Sequence, residues 1–74
     1  MRQTTSANAV YGLLRLPQVQ ASTGLSRSEI YRRVRSGDFP APVKLGERAS
    51  AWVEREIVEW AARRIAERDA KAVA

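Results

Sequence analysis

The stretch TGLSRSEIYRRVRSGDFP, residues 23–40, carries the signals that decide the fold. Ser26 is followed three residues later by Glu29, and this spacing forms a capping box in which each side chain bonds a backbone N–H of the other residue. Gly37 suits the position just past a helix end, and Pro40 prevents the helix from continuing. The stretch therefore predicts a helix that begins after Ser26 and ends before Gly37.

A shorter helix is predicted immediately before this one. Pro17 suits a first helical turn because its missing N–H would have no partner there. Val19 is expected to face the core, and Gly24 stands where a left-handed residue ends a helix with the least strain. Only three residues then separate the two helices. A tight, glycine-containing connection of this kind indicates a helix-turn-helix.

Two short strand-like runs follow, PVKLG and SAWVE. They are separated by the turn-forming residues Glu47, Arg48 and Ala49, which favours a small antiparallel hairpin, or wing. Its register is not fixed by so short an alternation. The predicted fold is thus mainly α with a small β-hairpin, a winged helix-turn-helix domain over residues 11–70. Residues 1–10 are expected to be a flexible N-terminal tail, and residues 71–74 a C-terminal tail.

A third helix is predicted from Glu54 onward, where strong helix formers run without glycine or proline. Apolar residues recur on one side of it and form a stripe that is expected to pack or to pair. They are Val53, Ile57, Trp60, Ala61 and Ile65. Trp52 and Trp60 are assigned to the core rather than to base stacking, because a small core needs large aromatic side chains, and Phe39 and Tyr11 receive the same assignment.

Composition narrows the class of protein. The 74 residues contain neither cysteine nor histidine, so no disulfide, zinc site, other metal or cofactor is expected, and the residue inventory does not support an enzyme. No apolar run approaches the roughly 20 residues of a membrane span, and a cytoplasmic protein is expected.

The net charge is +5. Residues 1–48 hold eight basic and three acidic groups, whereas residues 49–74 hold five of each. The first two thirds should therefore attract a polyanion.

The predicted second helix has a basic outer face. If Ile30 and Val34 face the core, Arg32 points directly away from it at about 100° per residue. Ser28 points nearly the same way, Arg35 and Tyr31 lie on one flank, and Glu29 and Arg33 lie on the other. Arginine can grip guanine in the major groove, and both arginine and serine can bind phosphate. The positive end of the helix dipole lies near Arg27 and Ser28. A merely solvated face is the alternative.

The predicted hairpin tip adds two further cations. Lys44 and Arg48 flank Gly46, as expected of a wing that contacts the phosphate backbone or a minor groove. A plain surface turn is the alternative interpretation of this short motif.

Together these segments resemble a known family. RLPQV, TGLSRSEIYRRVRSGDFPAPVKLGERASAW and EIVEW, within residues 13–64, are similar to the AlpA family of small phage and prophage regulators, which are related to MerR-like and excisionase winged helix-turn-helix proteins. The resemblance implies that Arg27, Ser28, Tyr31, Arg32, Arg35, Lys44 and Arg48 bind DNA. Relatives usually carry an apolar residue at the position of Arg33, which leaves two roles open for this arginine: a phosphate contact or part of a pairing surface.

The function implied is a sequence-specific regulator of transcription in a phage, prophage or other mobile element, with double-stranded DNA as its partner. Two alternatives remain: an excisionase-like factor that bends DNA for recombination, and a small interaction module that binds an acidic protein. A homodimer or a cooperative oligomer on DNA is one expectation, because a single small unit covers a short site. A recombinase or RNA polymerase is a further candidate partner.

Overall fold

The computed structural model describes residues 12–73. Along the chain lie strand β1, helices α1 and α2, strands β2 and β3, and helix α3. Their bounds are Leu13–Leu14, Leu16–Thr23, Arg27–Arg35, Val43–Gly46, Ala49–Val53 and Glu54–Val73, in that order. This architecture confirms the predicted winged helix-turn-helix class. The predicted tail over residues 1–10 and the core assignment of Tyr11 fall outside the described residues.

Helix α1 is short and has a defined start and end. The side chain of Gln18 accepts a hydrogen bond of 2.9 Å from the backbone N–H of Arg15, the residue before the helix. Gly24 follows the last turn with φ +76°, the left-handed conformation expected of a terminating glycine. Val19 is fully buried, as predicted. The helix begins at Leu16, one residue before the predicted start.

Helix α2 begins and ends as its local signals predict. The Ser26 hydroxyl accepts from the backbone N–H of Glu29 at 3.2 Å, and the Glu29 carboxylate accepts from the backbone N–H of Ser26 at 2.9 Å. At the other end Gly37 adopts φ +79°. The N–H of Gly37 bonds the carbonyl of Val34, and the N–H of Asp38 bonds that of Arg33. These two bonds form a Schellman motif, which redirects the chain sharply after the helix.

The wing belongs to a sheet of three strands rather than two. Strands β2 and β3 form the predicted antiparallel hairpin, with an irregularity in the pairing between Lys44 and Gly46. The turn consists of Glu47 and Arg48. Strand β1, which was not predicted, pairs antiparallel with the other edge of β3, giving the order β1-β3-β2. The central strand is therefore hydrogen-bonded on both sides.

A small core lies between the helices and β3. Its buried members are Val19, Ile30, Phe39, Trp52, Ile57 and Trp60. Both indole N–H groups find carbonyl partners, since Trp52 donates to Pro40 at 3.0 Å and Trp60 donates to Asp38 at 2.9 Å. The core assignments of both tryptophans and of Phe39 are thus confirmed, and Phe39 packs edge-on against Trp60 with ring centroids 4.9 Å apart.

Helix α3 is longer than the core it covers. Its 20 residues span about 30 Å. Ile57 and Trp60 are buried, but Ile65 is 51% exposed, so the apolar stripe packs on the core only in its first part, and pairing of its far end stays a prediction. By that point the helix has passed the last core residue. Within residues 12–73, no helix combines the length and apolarity needed to cross a bilayer.

Candidate nucleic-acid interface

The burial of Ile30 and Val34 shows which side of α2 faces outward. Ile30 is fully buried, and Val34, one turn later, is partly buried against the same core. Arg32 lies on the opposite side and is exposed. The orientation derived from helical spacing is therefore confirmed, and the side of α2 that carries Arg32 is open to a ligand.

Four of the predicted α2 site residues are exposed: Arg27, Ser28, Arg32 and Arg35. Tyr31 differs because it is only partly exposed and packs against the core. Its ring meets Trp52 edge-on with centroids 6.0 Å apart, and the Arg27 guanidinium carbon lies 5.4 Å from the Tyr31 centroid. Tyr31 thus connects the basic face to the core beneath it.

The two predicted wing residues are both exposed but lie in different surroundings. Lys44 is on β2, where its ammonium lies 3.5 Å from the carbonyl oxygen of Glu47. Arg48 is in the turn and lines a cleft together with Arg27 and Tyr31 of α2. The fold therefore brings the wing turn beside the start of α2.

Arg15 lines the same cleft and was not predicted as a site residue. Its side-chain Nε donates to the carbonyl of Ser50 on β3 at 3.0 Å. In the sequence it stands inside an apolar segment, YGLLRLP, far from the wing. Only the pairing of β1 with β3 brings it near, and a two-residue strand leaves no periodic signal that could reveal this.

Arg33 has a role that neither sequence interpretation anticipated. Its Nη1 lies 2.8 Å from Oδ2 of Asp38, and Oδ1 of the same carboxylate lies 3.5 Å from Nη1 of Arg64 on α3. The Arg33 side chain is 29% exposed. This arginine therefore pairs within the domain and links the end of α2 to α3 through the loop.

The remaining cations of the interface have no such partners. Among residues 12–73, the ion pairs involve only three arginines, Arg33, Arg64 and Arg68. None involves Arg15, Arg27, Arg32, Arg35, Lys44 or Arg48. No ion pair within the described residues occupies these side chains, so their donors are available to an external polyanion.

Glu29 is the acidic residue nearest the start of α2. The pKa of its carboxyl lies below the ordinary value, first because the carboxylate accepts the backbone N–H of Ser26, then because it interacts with the Ser26 side chain and with the charges of Arg32 and Arg33. It therefore stays ionised at neutral pH, and its hydrogen bonds serve to fix the helix start.

The chemistry of this surface suits binding. Across the described part of the chain, no group of three or more histidine, cysteine, aspartate or glutamate side chains could hold a metal ion. The exposed arginines offer planar donors that match phosphate oxygens and guanine edges. A convex helix beside a hairpin matches the geometry by which winged helix-turn-helix proteins enter a DNA groove.

Comparison with known proteins agrees with this geometry. The family model for the prophage CP4-57 regulatory protein (AlpA) matches residues 12–65, more than half of the chain. An uncharacterized protein of Enterobacteria phage P4, ORF88, is 49% identical over 55 residues, which make up 74% of this chain and 62% of the phage protein. This chain thus spans less than two thirds of that relative's length.

The second relative is named for its function. The DNA-binding transcriptional activator AlpA of Escherichia coli strain K12 is 36% identical over an alignment of 58 residues that covers 70% of this chain and 83% of the activator. The region matched by the family model, residues 12–65, contains all of α1, α2, the wing and the buried part of α3. The chain therefore belongs to the AlpA family of prophage regulatory proteins.

Proposed function

We propose that this protein is a sequence-specific double-stranded DNA-binding regulator of transcription in a phage, a prophage or a related mobile element. The observation that carries the proposal is the outer face of α2, where arginines without acidic partners stand opposite a buried apolar side. The family and the activator relative support the same function. The proposal includes no catalytic step.

In this mechanism α2 enters the major groove, which is about 12 Å wide and admits one α-helix. Arg32 reaches farthest from the core and reads a base edge. Arg35 lies nearly one turn on and contacts either a base or the flanking phosphate. Ser28 and Arg27 lie in the first turn, where the helix dipole favours a phosphate. Sequence preference therefore depends mainly on the middle of α2.

The wing acts on the DNA backbone. Lys44 and Arg48 are exposed on β2 and in the adjoining turn, and neither pairs with a carboxylate in the described residues. Contacts of this kind position the protein on the duplex and strengthen binding to all sequences alike. The wing thus contributes affinity and the helix contributes selectivity.

Selection of duplex fragments from a random pool by the purified protein, followed by sequencing, tests the proposal. A shared short motif, bound in a salt-dependent manner, is the expected result. Arg32→Ala should lose the motif preference, whereas Arg68→Ala serves as a charge-matched control, because Arg68 is 73% exposed on α3 and pairs with Asp69. A pool without enrichment would reject sequence-specific recognition.

The same selection separates the regulator from its alternatives. Repeated half-sites at a fixed spacing would show that two copies bind together. Several adjacent sites bound cooperatively, with bending of the fragment, would instead indicate an excisionase-like factor. No binding to duplex DNA at moderate salt, combined with capture of an acidic protein, would favour the interaction module.

A further inference from the structure

We propose that Arg15, Arg27 and Arg48 form a seat for one phosphate of the DNA backbone, at the point where α1, α2 and the wing turn meet. The inference rests on the proposed function and adds to it a contact from outside both the recognition helix and the wing. The ligand group is a phosphodiester, and its source is the strand that runs past the first turn of α2.

The three arginines come from distant parts of the chain to one concave site. Arg15 precedes α1, Arg27 opens α2 and Arg48 lies in the turn between β2 and β3. They line a cleft of about 190 Å³. Pockets for complete small molecules are usually about 300–1,000 Å³, so this cleft suits a single group such as a phosphate rather than a whole nucleotide.

Two of the guanidinium groups are held in place before any ligand arrives. Arg15 donates from Nε to the Ser50 carbonyl at 3.0 Å, which anchors the group to β3 and leaves its two terminal nitrogens without a partner among the described residues. Arg27 lies over Tyr31, whose ring packs on the fully buried Trp52. Preorganised donors bind with less loss of conformational entropy.

The charge of the site favours an anion. No acidic residue lines the cleft, and none of its three arginines joins an ion pair within residues 12–73. Like charges brought together in this way repel, and a phosphate placed between them relieves the repulsion. Arginine is also the side chain best suited to phosphate, because its planar fork can donate two parallel hydrogen bonds to the oxygens.

The location of the cleft identifies the source of the phosphate. It opens beside the start of α2, on the basic surface that the proposed function places against DNA. A bound strand would pass between α2 and the wing turn, and the cleft lies between these two elements. A free phosphate ion offers the same chemistry, so the test must separate the two sources.

The test uses the full chain and duplexes carrying its selected site, with one phosphate at a time replaced by an uncharged methylphosphonate. Loss of one charge-assisted contact should weaken the wild type about tenfold at one position. Arg15→Gln should bind unmodified DNA with a similarly reduced affinity. Replacing the phosphate at that position should then weaken the variant little further. The slope of its DNA affinity against salt concentration should decrease by the equivalent of about one phosphate contact.

Two further variants keep the result interpretable. Arg48→Gln should share the same sensitive phosphate, while Arg15→Lys should recover only part of the affinity because it restores the charge without the fork. Thermal unfolding of each variant checks that the Arg15 contact with β3 is not needed for folding. If Arg15→Gln proves unstable, Arg48→Gln alone carries the test.

The outcomes distinguish the seat from the proposed function. If the wild type binds its selected duplex but Arg15→Gln binds equally well with the same salt slope, the seat is wrong and the function stands. Uniform weakening at every phosphate would also overturn the seat. A wild type without duplex preference refutes the function itself. Inorganic phosphate is also added to both proteins as a competitor. If it weakens DNA binding by the wild type at concentrations that leave DNA binding by Arg15→Gln unchanged, the seat binds the free ion.

Discussion

The link between α2 and α3 gives a prediction whose size can be worked from the structure. Asp38 bridges Arg33 at 2.8 Å and Arg64 at 3.5 Å, and its side chain is 48% exposed. Asp38→Asn keeps the size and one acceptor oxygen but removes the charge. The backbone carbonyl of Asp38, which accepts from Trp60, is unchanged.

The expected loss of stability in Asp38→Asn follows from how far its two ion pairs are exposed to solvent. Exposed ion pairs contribute about 0.2–1 kcal/mol each, far less than the roughly 3–5 kcal/mol lost when a buried pair is broken. The partners of Asp38 are 29% and 37% exposed, so each pair lies toward the upper end of the exposed range. Because the 3.5 Å pair is the weaker one, we expect a loss of about 1 kcal/mol in the free energy of unfolding. That corresponds to a melting temperature lower by about 4–8 °C for a domain of this size.

The assay is thermal unfolding followed by circular dichroism at low and high salt. Glu67→Gln is the matched control, since it also removes one negative charge and one partner of Arg64, but within a single helix at i,i+3. Such a pair contributes about 0.2–0.5 kcal/mol. Equal destabilisation by the two variants would refute the idea that Asp38 joins two elements. A loss for Asp38→Asn that persists at high salt would refute its electrostatic origin.

Three further predictions concern the interface, acid stability and α3. Arg32→Ala should cost about 1–3 kcal/mol in binding free energy for the selected duplex and relax the preference at one base pair. Lys44→Ala should instead weaken binding to all sequences alike and reduce the slope of affinity against salt by about one. Fluorescence titration at several salt concentrations measures both effects. The folded-state pKa of Glu29 lies below its ordinary value, so its contribution to stability is present above that ordinary value and is lost as the pH falls through the folded pKa. Glu29→Gln should therefore show a shallower fall in melting temperature on acidification, and equal slopes would contradict this. Ile57→Ala should destabilise by about 2–5 kcal/mol in chemical denaturation, but Ile65→Ala, at a position that is 51% exposed, by about 0.5 kcal/mol or less. Similar losses at the two positions would show that the end of α3 is covered.

The sequence predicts α2 and its orientation because the necessary signals are local. The capping pair Ser26 and Glu29 and the terminating Gly37 lie within one turn of the helix ends they define, and they act through backbone groups of the same segment. Helical spacing then places Arg32 opposite Ile30 without any knowledge of the rest of the fold. The basic face could therefore be predicted from a single stretch.

Features that depend on distant pairing could not be predicted in this way. Strand β1 is two residues long and forms only because β3 offers a free edge. Arg15 lines the cleft beside α2 as a consequence of that pairing. The apolar period of α3 continues to Ile65, but a periodic pattern does not report where the body of the domain ends. The pairing of Arg33 with Asp38 likewise requires the path of the loop after α2.

The contact between Trp52 and Tyr31 has a consequence for how proteins of this kind diverge. The Tyr31 ring contacts the buried Trp52 on one side and the Arg27 guanidinium of the surface proposed to bind DNA on the other. The size of the side chain at position 52 therefore affects the position of Tyr31 and Arg27. Under the proposed function, a substitution that repacks the interior is expected to tilt these side chains and to change the preferred target site. In so thin a domain, changes in target site can therefore arise from hidden positions that never touch the nucleic acid.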